Sequence, residues 1–137
     1  MNNILRNVIA VIIGWLVGSV VNMSLISLGH HLLPIEGIDT NNIDELSKAM
    51  SSLDLEYFIF PFFAHAIGTL VGSIIAALIA KQNKRMISMI VGVIFLLGGI
   101  TVSFMIDSPL WFTLLDLIIA YIPMAYLGYK LAIIIRK

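Results

Sequence analysis

Four apolar runs, covering roughly residues 4–28, 57–80, 86–106 and 109–135, leave little of this chain for anything else. Each is close to the ~20 residues that a helix needs to cross the hydrocarbon of a bilayer. In lipid every backbone amide must find its partner within the element, which selects helices over unpaired strands. Composition agrees. Hydrophobic residues make up 60% of the 137 and charged residues 12%, with mean hydropathy +1.04, whereas a soluble domain carries about 25% charge. The pattern predicts an all-α membrane protein: one domain over residues 1–137, a four-helix transmembrane bundle with a 29–56 loop after the first span. Arg6 precedes the first run as in a signal peptide. Its apolar core is longer than the ~7–15 residues of a signal and no A-x-A site follows, so it reads as a retained span.

The charges divide by loop. Arg6 lies before span one, Lys81, Lys84 and Arg85 lie in the "KQNKR" turn, and Lys130, Arg136 and Lys137 close the chain. The 29–56 loop has Lys48 alone against Glu36, Asp39, Asp44, Glu45, Asp54 and Glu56. The excess of bases places both termini in the cytoplasm and this loop outside. Within the loop, Pro34 and Gly37 punctuate a turn, and Ile43, Leu46, Met50 and Leu53 follow at helical spacing. Asn42 with Glu45 resembles a capping box. The segment from Asn42 to Leu53 is therefore expected as a short amphipathic helix, either a lid over the span ends or a docking surface for a membrane partner. Tyr57, Phe58, Phe60, Phe62, Phe63, Trp111 and Phe112 gather at the same level and read as an interfacial belt. The chain has no cysteine, which excludes disulfides and thiolate metal sites.

Small residues recur every fourth position in span two (Ala64, Gly68, Gly72, Ala76) and in span one (Ala10, Gly14, Gly18, with Asn22 next). Such faces let lipid-embedded helices approach closely, so spans one and two are expected to pack antiparallel. "GWLVGSVV" and "GTLVGSII" match at five positions, a trace consistent with an inverted repeat. Ser19 and Ser73, each following a glycine, read as bonding back to their own helices.

One polar side chain per span falls at a common depth. At 1.5 Å per residue, His65 lies roughly 12 Å in from the loop side and Asp116 and Asn22 roughly 10 Å, with Thr101 slightly shallower. Asp116 is the only acid well inside a span. A carboxylate there costs about 2.5 kcal/mol or more, so it should face the bundle interior and meet a partner, with His65 the natural one. Pro123 removes an amide hydrogen and is expected to kink span four. The layer has two readings, a hydrogen-bonded structural cluster or a proton or ligand site. A weaker alternative is an outer metal site of His30, His31, His65 and Glu36. No motif calls for a cofactor, a catalytic nucleophile or nucleic acid.

"PFFAHAIGTLVGS" and "AYIPMAYLG" resemble small uncharacterised four-span membrane proteins of bacteria, over nearly the whole chain. The resemblance implies a multi-pass protein of the bacterial cytoplasmic (inner) membrane and carries over no catalytic residue. Small multidrug-resistance transporters also have four short spans. Their essential glutamate lies inside the first span, where this chain has Asn22 and no acid. Three functions fit the residues. The first is a proton- or ion-coupled transporter or small-molecule-binding protein, expected as a homodimer in the lipid bilayer. The second is an accessory subunit, and the third an enzyme acting on lipid or quinone. The intramembrane Asp and His favour the first.

Overall fold

The computed structural model describes residues 2–136, and all regular structure among them is helical. Helix α1 spans Asn3–Leu32 and the short α2 spans Ile43–Met50. A 3-10 turn, Leu55–Phe58, leads directly into α3 (Ile59–Ile79), followed by α4 (Lys84–Met105), α5 (Leu110–Ile119) and α6 (Ile122–Ile135). Taking the turn with α3 and α5 with α6, four segments are long and apolar enough to cross a membrane. The chain is a multi-pass membrane protein with the architecture of a four-helix bundle.

Helix α1 outlasts the apolar run that announces it. Its 30 residues reach about 45 Å, well beyond a hydrocarbon core of ~30 Å. The last turn, with His30 and His31, therefore stands at the end of the bundle where the 33–58 segment lies, here called the loop end.

Helix α3 is the hub. It packs on α1, α4 and α6, and its buried residues are nearly all small: Ala64, Ala66, Gly68, Gly72, Ala76 and Ala77 among them. Against α1 the backbones almost touch. A Cβ added at Gly14 would stand 2.5 Å from the Gly72 carbonyl oxygen, and one at Gly72 would stand 2.6 Å from that of Gly14. Gly18 and Gly68 repeat the arrangement one turn on, at 2.6 and 2.9 Å. Ala10 and Ala64 are fully buried at the two ends of this face. Such proximity maximises dispersion contact between helices that gain nothing from hiding apolar surface from lipid.

The α3–α4 contact is polar as well as close. Ser73 Oγ donates to the Ser88 carbonyl at 3.3 Å and Ser88 Oγ to that of Ser73 at 3.0 Å. The expectation that Ser73 bonds within its own helix is thus corrected. At 0% exposure on a face packed against α4, crossing to the neighbour lets each hydroxyl meet a carbonyl without water.

At the end carrying the termini, Arg6 Nε donates to the Ile79 carbonyl at 2.6 Å and Arg136 donates to Leu78 at 3.3 Å. These bonds satisfy the last carbonyls of α3, which lack intrahelical partners, with cations suited to a helix C-terminus. At the loop end, α2 is folded down as a lid. Met50 is buried with Phe58 and Phe112, flanked by Leu46, Leu53, Phe62 and Ile106. Phe58 and Phe112 are core residues, 3% and 6% exposed, and so leave the aromatic belt to which sequence position assigned them. The lid covers them.

Asn42 caps α2. Its Oδ1 accepts from the backbone N–H groups of Asp44 and Glu45, and its Nδ2 donates to Glu45 Oε1 at 3.1 Å. Ser47 Oγ accepts from the Asp107 N–H at 2.8 Å, latching the lid to the α4–α5 turn. Asn42→Ala will cost α2 about 1 kcal/mol. In hydrogen exchange the α2 amides will lose protection while those of α3 keep theirs. Unchanged α2 protection would show that the lid is held by the Met50 contacts alone.

Candidate functional site

Three side chains meet where span four is broken. Pro123 has no amide hydrogen to give the Ile119 carbonyl, and helix α5 ends at Ile119. Helix α6 begins at Ile122, so the proline lies in its first turn, where a donor is not required. Between them Tyr121 adopts φ −116° and ψ −77°, outside ordinary helix geometry. Its ring is 2% exposed, and its hydroxyl donates to Asp116 Oδ2 at 3.0 Å. Gly99 on α4 makes room, since a Cβ there would collide with the Tyr121 hydroxyl.

The other partner of Asp116 is His65. Its Nδ1 lies 2.9 Å from both carboxylate oxygens, and its ring stacks on Tyr121 with centroids 5.8 Å apart. Asp116 is 5% exposed and lies in the last turn of α5, the partially negative end of a helix. That setting is hostile to a carboxylate, and the two donors offset it. A carboxylate at Asp116 can only accept from both neighbours, which assigns the His65 proton to Nδ1. Nε2 then has no hydrogen-bond partner among the described residues. Thr69 Oγ1 donates to the His65 carbonyl at 2.8 Å, one turn along α3.

Of the four residues placed at one depth, the structure brings together His65 and Asp116. Thr101 is exposed, and its hydroxyl donates to the Leu97 carbonyl of its own helix at 2.8 Å, so it takes no part in the cluster. Asn22 does face α3, but against Gly68 rather than His65, and its Oδ1 is buried without a partner among the described residues. Replacing it by leucine, of similar shape, removes an acceptor that burial leaves unsatisfied. Asn22→Leu will raise the unfolding midpoint in detergent, by about 1 kcal/mol of stability. A lower midpoint would mean that Oδ1 is satisfied by water in the membrane.

Tyr121 was not among the sequence candidates. Five residues beyond Asp116 on an unbroken helix it would lie about 140° around the axis. Only the break returns it. The available signal was the proline two positions later, in "AYIP".

The cluster borders two cavities. A void of about 30 Å³, enough for a water molecule or two, touches Asp116 and His65 on the side of Ser103 and Thr113. A larger cavity of about 680 Å³ lies under the α2 lid between the loop ends of α1, α3 and α4. His65 borders this one too, with apolar residues such as Met23, Ile26, Leu46 and Met50. That volume falls in the ~300–1,000 Å³ range of small-molecule sites. The metal alternative is corrected. Among the described residues no three His, Cys, Asp or Glu side chains gather as an ion requires. His30 and His31 follow one another on a helix, so their rings diverge by about 100°. No known family, curated protein or solved structure matches this chain. The site is read from its own geometry.

Proposed function

We propose that this protein binds an amphipathic small molecule in the cavity beneath α2 and couples that binding to the proton held by the His65–Asp116 pair, as a small proton-coupled transporter does. One observation supports the reading above the others. His65 belongs to both structures, with Nδ1 on a buried carboxylate and its ring on the cavity wall. A ligand that contacts this ring alters the proton balance of the pair, and a proton arriving at the pair alters what the ring offers a ligand.

The basic residues at the termini end favour the cytoplasm for that side, so the cavity faces outward. Four spans rarely enclose a full path, and a second copy would complete one. Docking of a partner through α2 has less support, because Leu46 and Met50 on its apolar side, with Leu53 just beyond it, are spent on the protein's own core.

Native mass spectrometry in a mild detergent, with added decanol, decanoate or decylamine, tests the binding. A saturable one-to-one adduct is expected with at least one of them. Ser27→Trp, which fills the cavity from α1, will abolish it. Asp116→Asn will weaken it and flatten its pH dependence. If none of the three is retained above the level seen with Ser27→Trp, the reading fails.

A further inference from the structure

We infer that the ligand is an apolar-tailed carboxylic acid and that it is taken up together with its proton. The inference rests on the binding reading above and deepens it. All three histidines of the chain border the large cavity, His30 and His31 from α1 and His65 from α3. Among the described residues no Asp, Glu, Lys or Arg lines it, and Tyr57 is the remaining titratable group on the wall. Helices α2 and α4 contribute none. Behind His65 stand Asp116 and Tyr121, already bonded to each other. The ionisable groups on the cavity wall are therefore three imidazoles and one phenol.

This lining discriminates among head groups. An ammonium head would find no anion, since Asp116 lies behind the His65 ring with Nδ1 and the Tyr121 hydroxyl on its oxygens. A permanently charged carboxylate would find no cation in this mostly apolar cavity unless an imidazolium met it. An undissociated acid meets neither obstacle. Its hydroxyl reaches Nε2, the nitrogen that Asp116 leaves free. The acid O–H bond breaks, an Nε2–H bond forms, and a carboxylate remains beside an imidazolium whose far side is held by Asp116. The charge of cluster plus ligand is the same before and after, so one neutral acid has entered with its proton. The charge-assisted bond so formed is shorter and stronger than one to an alcohol. Apolar walls formed by Met23, Ile26, Leu46 and Met50 suit the tail.

The test compares head groups on one tail, with the native protein in phosphatidylcholine nanodiscs. Decanoate, decanol and decylamine are titrated calorimetrically in two buffers of different ionisation enthalpy, against empty nanodiscs. Near neutral pH, decanoate is expected to bind with uptake of about one proton per molecule, and about tenfold or more tighter than decylamine. Its affinity will rise as pH falls. His65→Phe, which keeps a ring of similar size, will abolish the proton uptake. Tightest binding by decylamine, or equal binding of decanol and decanoate without proton uptake, overturns the acid assignment and leaves the cavity as a binding site. Absence of binding by all three overturns the binding reading as well.

Discussion

Gly72→Leu will separate α1 from α3 and prevent the bundle from closing. At Gly72 the obstruction is backbone: a first side-chain carbon would stand 2.6 Å from the Gly14 carbonyl oxygen and 3.3 Å from Gly18 Cα. Neither atom belongs to a side chain that can turn away, so the helices must move apart along the whole contact. Overpacking a core costs about 1–3 kcal/mol when side chains can adjust. Here none can, and about 3 kcal/mol or more is expected. Thermal unfolding in detergent and the yield of monodisperse protein measure it. Gly98→Leu is the control, because no atom of the described residues lies within 4 Å of a Cβ at that position. Equal loss in both variants would overturn the assignment of the effect to the α1–α3 contact, since leucine is the better helix former at either position.

The second large effect concerns Asp116. Asp116→Ala leaves the His65 Nδ1–H and the Tyr121 hydroxyl buried with no acceptor, at a cost of about 2–4 kcal/mol. Asp116→Asn keeps the shape and one good acceptor, so it will cost about 1 kcal/mol while removing the charge. Tyr121→Phe removes one donor and leaves Asp116 bonded to His65, for a similar cost near 1 kcal/mol. The order Ala, then Asn and Phe together, identifies an acid held by two donors. If all three variants unfold at the same temperature, Asp116 draws its stability from water in the small void and the cluster is not a unit.

What could be read from the sequence, and what could not, has a simple geometric basis. Apolar runs mark spans because lipid leaves the chain no other way to satisfy its backbone. They mislocated the end of α1, where His30 and His31 interrupt the run but not the helix. Depth follows from residue count, and it put His65, Asp116, Asn22 and Thr101 on one level. Azimuth does not follow from count. Thr101 points outward and Asn22 rests on Gly68, while His65 and Asp116 meet at 2.9 Å. Tyr121 depends on the helix break ahead of Pro123, whose geometry only the folded chain displays. Ser73 and Ser88 belong to different helices, and nothing in either local sequence pairs them.

The close fit of α1 with α3 bears on how the protein is made. These two spans leave the ribosome before α4, α5 and α6, and their glycine-to-glycine contact is made by their own backbones. The pair can be complete in the bilayer while the rest of the chain is still being translated. His65 arrives on that pair. Asp116, the costly group, comes on a later span and enters against a donor already in place. Synthesis from the N-terminus thus delivers the histidine before the acid, and the membrane is never asked to hold the carboxylate alone.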